Sequence, residues 1–427
     1  MPHSINFEQT RYLARTFKLI PFMARRIAWN QQKSFARFIM RLSIGATAIS
    51  VAVMIISVSL VNGFQDAIRE KVFGFWGHIR IQERQSSGPL LSEEIPLLHN
   101  QLLIDSIREN KRVQSVHAFA TRYGVLKTEG DMEGLLIKGV DRSFLQNRLP
   151  AFLKEGKTPE WPDSGFSRGI LISAHTANRL GKKVTDSLLL YFLQADQTPR
   201  PRKVQIAGIF KTGIEQYDRL YAIADIRLIQ QLNGWPPEKI GGYELWVNDP
   251  AQMETTANEI YALEQFPQTW DPSPITQLIP NIFDWLSLMD NTRILLISLM
   301  IAVAIINLIT CLLILVLERV RMIGTLKALG APDMRIQQLF LQQIGWILAI
   351  GISLGTILGL GLLYLQIGTG FIKLPEEAYY IDKAAVKIVW GEIFAILGGT
   401  TAISLIVAWI PSWLVRRIQP VQAMRFK

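Results

Sequence analysis

Four long stretches without a charged residue constrain this 427-residue chain more than any other feature. They are Leu42–Phe64, Ile294–Val316, Trp346–Leu365 and Ile393–Val415, each 20 to 23 residues long. About 20 residues of helix cross the roughly 30 Å hydrocarbon core of a bilayer, and one charge at its centre costs about 2.5–3.5 kcal/mol. We therefore predict an α-helical integral membrane protein with four transmembrane helices.

The net charge of +10 is concentrated in three short segments. Residues 1–41, 317–340 and 413–427 together carry 16 Lys and Arg against three acidic residues, so they hold +13 while the rest of the chain holds −3. Basic residues accumulate on the cytoplasmic flanks of transmembrane helices. The pattern predicts cytoplasmic termini and a cytoplasmic 317–340 loop, and it disfavours nucleic-acid binding as the reason for the charge.

The long segment between the first two spans has the texture of a mixed α and β domain. "HIRIQ" (78–82) alternates like a half-buried strand. "GILIS" (169–173) leads into a short helix that Ser173 can cap and Gly181 can end. "LLLYFL" (188–193) and "VQIAGIF" (204–210) are predicted strands joined by "QADQTPRPRK". We predict a large α+β extracytoplasmic domain inserted between the first and second spans.

Helical spacing of apolar residues extends both neighbouring spans into this domain as helical stalks. The residues that carry the spacing are Phe64, Ile68, Val72 and Phe75 after the first span, and Ile282, Leu286 and Met289 before the second. The predicted order is a cytoplasmic segment (1–41), span one (42–64), the extracytoplasmic domain with stalks (65–290), span two (291–316), a cytoplasmic helix (317–338), span three (339–365), an extracytoplasmic loop (366–386), span four (387–415) and a cytoplasmic tail (416–427).

Motifs for catalysis and for metal or nucleotide binding are missing from the sequence. There is no GxxxxGK[ST] and no HExxH, and the five histidines are scattered. The single Cys311 lies within a span, where it is interpreted as a small apolar residue. The acidic pairs Glu93–Glu94 and Glu376–Glu377 lie in polar loops and are interpreted as solvated. We predict a non-catalytic chain without a metal site, driven by energy from a partner.

Three glycines in the third predicted span form a tandem GxxxG. Gly351, Gly355 and Gly359 allow another helix to approach closely. The motif fits packing within the chain and a seam between two copies equally well.

The segment "LERVRMIGTLKALGAPDMRIQQ" (317–338) places a short amphipathic helix between two spans. Met322, Leu326 and Leu329 form its apolar stripe, while Gly330 and Pro332 indicate the end of one helix and the start of the next. The stripe fits a helix resting in lipid headgroups or one that docks on a cytoplasmic partner.

With these residues in view, the chain resembles the permease subunits of lipoprotein-releasing ABC transporters (Lol type), within the MacB/FtsX-like permeases. Four stretches carry the resemblance: "PFMARRIAWNQQKSFARF" (21–38), "SVSLVNGFQDAIREKVFGFWGHIRI" (57–81), "ERVRMIGTLKALGA" (318–331) and "IQPVQAMRF" (418–426). They occur in the family's order on the predicted topology and cover nearly the whole chain.

The resemblance implies a bacterial inner-membrane permease that works with a separate ATPase. ATP and Mg²⁺ would bind the ATPase, and this chain would hold no cofactor. A second permease chain, identical or related, would complete a dimer that passes lipoproteins to a periplasmic carrier. The resemblance assigns the contact with the ATPase to the coupling helix, whose candidate residues are Glu318, Arg319, Met322, Ile323, Leu326, Lys327 and Leu329.

One permease of such a pair recruits the carrier with a protruding hairpin, which by position corresponds to 194–203 here. The candidate residues are Thr198, Pro199, Arg200, Pro201 and Arg202. The connection is short for this role, so a simple solvated hairpin is an equal alternative. Two other functions stay open: an FtsX-like regulator that switches a cell-wall hydrolase, and a MacB-like efflux permease. The size of the 65–290 segment favours lipoprotein release over the first, and the absence of a fused ATPase disfavours the second.

Overall fold

The computed structural model describes residues 35–84, 94–162, 165–193, 199–375 and 379–412. Several sequence predictions fall outside these ranges. They concern residues 1–34, the pair Glu376–Glu377, Glu93, Thr198 and the ending 413–427 with its "IQPVQAMRF" motif.

The chain divides into two compact units. The helical unit contains the residues up to Phe64, Ser287–Ile372 and the residues from Lys383 onward, and the sheet unit contains Gln65–Leu286 and Lys373–Asp382. The helices, in chain order, are α1 (Phe35–Trp76), α2 (Gln101–Glu109), α3 (Arg142–Asn147), α4 (Ala174–Leu180), α5 (Glu215–Leu220), α6 (Ile226–Leu232), α7 (Met253–Tyr261), α8 (Ile275–Leu278), α9 (Pro280–Glu318), α10 (Val320–Ala328), α11 (Asp333–Thr369) and α12 (Trp390–Ser412).

Four helices in the described part of the chain are long and apolar enough to cross a membrane: α1, α9, α11 and α12. They contain the four charge-free stretches as far as the described residues extend, which confirms the prediction of four such helices. α1 continues to Trp76 and α9 begins at Pro280, so both helices extend beyond their apolar stretches as the spacing predicts.

Two apolar clusters hold the helical unit together. One joins α9, α10 and α11 through Leu312, Ile323 and Phe340, which are almost fully buried. The other joins α1, α11 and α12 through Met54, Leu363 and Ile393. Cys311 belongs to the first cluster, consistent with its interpretation as a small apolar side chain.

The sheet unit is built on ten strands of one sheet, counted over the described residues. Twelve strands are present in this part of the chain: β1 (Ile79–Glu83), β2 (Leu97–Leu98), β3 (Val113–Lys127), β4 (Met132–Val140), β5 (Leu153–Gly156), β6 (Gly169–Ser173), β7 (Ser187–Leu193), β8 (Pro199–Phe210), β9 (Tyr221–Asp225), β10 (Lys239–Ile240), β11 (Gly242–Val247) and β12 (Trp270–Pro274). The order is β12-β1-β11-β3-β4-β9-β6-β8-β5, with β7 paired to β3 and β8, while β2 and β10 pair separately.

The predicted start and end of α4 are confirmed. The Ser173 hydroxyl accepts a hydrogen bond from the Thr176 N–H at the start of α4, and Gly181 ends the helix with a φ of +60°. Asp225 caps α6 in the same way by accepting from the Arg227 N–H. The core between these helices and the sheet contains Ile137, Ile172, Leu228 and Ile229.

The predicted hairpin between β7 and β8 has a shorter connection than the sequence suggested. The strands stay paired to Leu193 and Pro199, so only residues 194–198 connect them, and the prediction of a 194–203 connection was wrong in extent. The two prolines do not break β8. They are two positions apart, so their backbone nitrogens, which carry no hydrogen, face the same edge of the strand. On that side β6 joins only from Gln205 onward, so the described strands require no N–H donor from Pro199 or Pro201.

Candidate functional site

The predicted coupling segment forms the helix α10, which is followed by a sharp turn. α10 ends at Ala328, Gly330 has a φ of +84°, and α11 begins at Asp333 directly after Pro332. The Ala331 N–H donates to the Leu326 carbonyl at 2.9 Å and closes the last turn. The Gly–Pro spacing therefore marks the two helix ends as expected.

The apolar stripe of α10 packs mainly within the chain. Ile323 is fully buried, and Met322 and Leu326 are partly buried against the cluster shared by α9 and α11. Leu329 differs, since 80% of it is exposed. The stripe therefore does not form a free docking surface, and of its residues only Leu329 is mostly exposed.

The exposed side of α10 is mostly polar. Arg321, Thr325 and Leu329 are exposed at intervals of four residues, so they share one side of the segment. Glu318 is exposed just before the helix, and Arg319 at its N-cap is partly buried.

A salt bridge fixes the turn that follows α10. The Lys327 Nζ lies 2.9 Å from the Asp333 Oδ1, and only 11% of the Lys327 side chain is exposed. Lys327 therefore joins the end of α10 to the start of α11, and it contributes little to the accessible surface.

The tandem GxxxG of α11 packs against α1 of the same chain. A Cβ atom added at Gly355 would lie 2.5 Å from the Ala48 carbonyl oxygen, and one at Gly351 would lie 2.9 Å from the Thr47 Cβ. The nearest atoms to a Cβ at Gly359 are those of Ala52, at 3.3 Å. Of the two alternatives that the sequence left open, this geometry supports packing within the chain.

The Asn62–Gly63 dipeptide of the family-like motif lies in a polar network at one end of the spans. The Asn62 side chain donates to Glu392 Oε2 at 2.6 Å and accepts from Arg293 Nη1 at 2.6 Å. A Cβ at Gly63 would lie 2.4 Å from the Ala385 carbonyl oxygen, so the chain approaches too closely here for any side chain. The network joins α1, α9 and α12 through one amide, a role that the sequence did not reveal.

The β7–β8 hairpin presents basic side chains on both of its faces. Pro201, Arg202 and Lys203 are exposed in succession, and burial resumes at Val204. Since neighbouring residues of a strand point to opposite faces, this end of β8 is open to solvent on both sides. Pro199 and Arg200 belong to the same strand, and Thr198 lies outside the described residues.

Four charged side chains that the sequence did not single out are buried together in the sheet unit. The Lys138 Nζ is 2.8 Å from Glu244 Oε2, and the Arg80 Nη2 is 2.9 Å from Glu94 Oε1. All four side chains are at most 5% exposed. The interpretation of Glu94 as a solvated loop residue was wrong, because the guanidinium of Arg80 and the Thr121 N–H bind its carboxylate inside the fold.

Burial dominates the electrostatics of this cluster. It lowers the pKa of Lys138, while the adjacent Glu244 carboxylate opposes that shift. Burial raises the pKa of Glu94, and the charge of Arg80 with the Thr121 hydrogen bond opposes the shift. The cluster is therefore an internally paired charge network.

A Ser, His and Asp set does meet in the sheet unit, but its geometry does not suit nucleophilic catalysis. The Ser143 Oγ and the Asp141 Oδ1 lie 2.7 and 3.1 Å from the same ring nitrogen, Nδ1 of His117. A triad needs the acid and the nucleophile at opposite nitrogens. Among the described residues, no group of three His, Cys, Asp or Glu side chains is arranged to hold a metal ion.

Two family models match the chain, one after the other. The MacB-like periplasmic core domain matches residues 41–263, and the FtsX-like permease C-terminal domain matches residues 294–420. The first match covers α1 from residue 41 onward and most of the sheet unit, and the second covers α10, α11 and α12.

Curated relatives match along nearly their whole length. The lipoprotein-releasing system transmembrane protein LolE of Haemophilus influenzae is 23% identical over 93% of this chain and 98% of its own. The corresponding LolC of Xylella fastidiosa is also 23% identical, over 93% of this chain and 96% of its own. Among solved structures, the periplasmic region of MacB from Actinobacillus actinomycetemcomitans covers 48% of this chain and 91% of that chain, at 10% identity and a TM-score of 0.34.

Proposed function

The chain belongs to the family that carries the MacB-like periplasmic core domain, which matches just over half of its length, and from this premise we propose that it is the permease subunit of a lipoprotein-releasing ABC transporter. A separate ATPase hydrolyses Mg²⁺-ATP, and a second permease chain completes the transporter. The dimer removes lipoproteins from the inner membrane and passes them to a periplasmic carrier.

One observation carries this proposal above the others: the chain matches lipoprotein-releasing permeases from end to end. The alignment to LolE covers 93% of this chain and 98% of the relative. The four apolar helices and the two matching family domains support the same assignment.

We expect depletion of this chain in its own bacterium to leave lipoproteins in the inner membrane, measured by membrane fractionation. The purified transporter should release lipoproteins to a soluble fraction only when ATP is supplied. Normal lipoprotein sorting with failed cell separation would instead assign the chain to the hydrolase-switching class. Normal sorting with altered drug or peptide export would assign it to the efflux class.

The proposed topology places both termini and α10 in the cytoplasm and the sheet unit in the periplasm. The +13 charge of the three short segments supports it. Single cysteines at the exposed positions Lys157 and Thr325, in a Cys311→Ala background, test it with a membrane-impermeant thiol reagent on intact cells. Labelling at position 157 alone is expected, and labelling at position 325 alone would refute the topology.

The proposed contact with the ATPase uses the exposed side of α10 and the exposed Leu329. Burial of one leucine at an interface contributes about 1.5–3 kcal/mol, so Leu329→Asp should weaken the ATPase complex at least tenfold. Leu102→Asp is the matched control, because Leu102 is 73% exposed in the sheet unit. Both variants should insert normally, and only Leu329→Asp should lose the ATPase on co-purification. Equal retention would mean that α10 rests on the membrane.

The proposed carrier contact uses the basic end of the β7–β8 hairpin. Arg202 and Lys203 are exposed on a paired strand, so reversing their charge leaves the apolar core of the hairpin unchanged. Arg202→Glu with Lys203→Glu should slow carrier binding and make it less sensitive to salt, because complementary charge mainly speeds encounter. ATPase coupling should persist. Unchanged carrier binding would mean that the second permease recruits the carrier.

A further inference from the structure

The C-terminus of α1 ends inside the sheet unit and not at its surface. The last two residues of the helix, Phe75 and Trp76, are fully buried among the rings of Tyr217 and Tyr221. Gly77 has a φ of +76° and donates its N–H to the Phe73 carbonyl, which is the usual way to close a helix. The end of this 42-residue helix is therefore held in one position by its surroundings.

Lys138 binds the end of α1 directly. Its ammonium group on β4 donates to the Phe75 carbonyl at 2.6 Å and to Glu244 Oε2 on β11 at 2.8 Å. The C-terminal carbonyls of a helix carry partial negative charge, so a cation is favourable there. Lys138 also lies 4.6 Å from the centre of the Phe75 ring, close enough for a cation–π contact.

The rest of the charge network extends this contact across four neighbouring strands. Arg80 on β1 is paired in register with Glu244 on β11, and its guanidinium lies over the rings of Trp76 and Phe119 at 5.0 and 4.0 Å. Glu94 joins Arg80 to the Thr121 N–H on β3. The strands β1, β11, β3 and β4 are adjacent in the sheet, so the network binds the end of α1 to four contiguous strands.

Stability alone does not explain four buried charges. Replacing a buried ion pair by well-packed apolar residues of similar volume is often neutral or stabilising. A network of directed hydrogen bonds differs from an apolar contact because it fixes the helix end in one orientation and resists sliding. The Lys138 ammonium, which donates to the Phe75 carbonyl, links this network to the backbone of α1.

We propose that Lys138 is a positioning residue that anchors the end of α1 to the sheet, so that movement of α1 during the ATPase cycle displaces β1, β11, β3 and β4 as one body. This inference rests on the proposed function, because it assigns the sheet displacement to lipoprotein release. Lys138 anchors the helix through its hydrogen-bond donor, and the ion pair with Glu244 offsets the cost of burying the ammonium group.

Two variants of the whole transporter, purified with its ATPase, separate the donor from the charge. Lys138→Gln with Glu244→Gln removes both charges and keeps an N–H donor for the Phe75 carbonyl. Lys138→Met with Glu244→Gln is equally neutral and similar in size but has no donor at position 138. ATP hydrolysis and lipoprotein release are measured together in liposomes. We expect basal hydrolysis to be unchanged in both, and release per ATP hydrolysed to fall at least tenfold only in the Met variant.

Equal lipoprotein release per ATP by the two variants would overturn the proposal that Lys138 anchors α1. The pair Glu133→Gln with Arg179→Gln is the control, because it removes a salt bridge of 2.7 Å at the surface, also from β4, without touching α1. If both Lys138 variants fail to fold, hydrogen exchange on the unmodified transporter decides. The last turn of α1 and β4 should change protection together on ATP binding, and independent changes would refute the proposal. Absence of any ATP-dependent release by the unmodified transporter would refute the proposed function and leave the exchange test valid.

Discussion

Replacing Gly355 by alanine tests how closely α1 and α11 approach each other. The added Cβ would lie 2.5 Å from the Ala48 carbonyl oxygen and 2.9 Å from the Val51 Cβ. Both neighbours belong to the backbone or to a branched side chain, so neither can rotate away. The two helices must separate by roughly 1 Å to restore ordinary van der Waals contact, and overpacking of this kind costs about 1–3 kcal/mol.

The same substitution has a favourable local effect that must be removed from the measurement. Alanine is more favourable than glycine within a helix by about 1 kcal/mol. Gly361 lies on the same helix with no neighbouring atom within 4 Å of an added Cβ, so Gly361→Ala reports this propensity alone. The difference between the two variants isolates the packing cost, which we expect to be about 1–3 kcal/mol.

Unfolding in mixed micelles, followed by tryptophan fluorescence and circular dichroism, measures this difference, while crosslinking reports the oligomeric state. Gly359→Ala should have a smaller effect than Gly355→Ala, since its closest contact is 3.3 Å. Equal stability of the variants at 355 and 361 would refute the close approach. Loss of oligomer without loss of subunit stability would show that the GxxxG face is a seam between copies.

Three further predictions concern other parts of the chain. Burial, with a smaller contribution from Arg148, lowers the pKa of His78 to about 4. Because the usual value is near 6.5, the contribution of neutral His78 to stability is fully present above pH 6.5 and should be lost, by up to about 3 kcal/mol, as the pH falls towards 4. In thermal denaturation, His78→Gln should reduce this loss. Asn62→Ala should lower stability by about 1 kcal/mol, because Arg293 loses a partly buried partner; an unchanged unfolding midpoint would contradict this. Leu326→Asp should destabilise the chain itself by about 2–4 kcal/mol, seen as a loss of folded protein even without the ATPase, whereas a normal yield would contradict the packing of α10.

Much of the architecture is determined by features within a few residues of each other. A charge-free stretch of 20 residues can satisfy its backbone in lipid only as a helix, so the four long helices follow from the sequence. The ends of α4, α6 and α10 follow as well, because Ser173, Asp225 and Gly330 act on N–H and carbonyl groups within the same turn. The sequence motifs also indicate the permease family, and the domain matches agree with them.

The tertiary structure decided which partner each face meets. Helical spacing identified the stripe of Met322 and Leu326 but could not tell an external partner from α9 and α11 of the same chain. The same limit applied to Gly355, whose small size predicts close approach of a helix without specifying that the helix is α1. Periodicity defines a face, and only the fold brings another surface to it.

The buried charges show the same division most clearly. Lys138 interrupts the apolar run "LLIKGV", and Arg80 alternates with isoleucines as a solvent-facing residue would. The six residues of that run are all buried, so a charge within it requires a partner inside the fold. Glu244, the partner of Lys138, lies 106 positions away in the sequence and on the other side of β3 in the sheet. A lone charge in an apolar strand indicates that a partner exists, but strand order alone determines which residue it is.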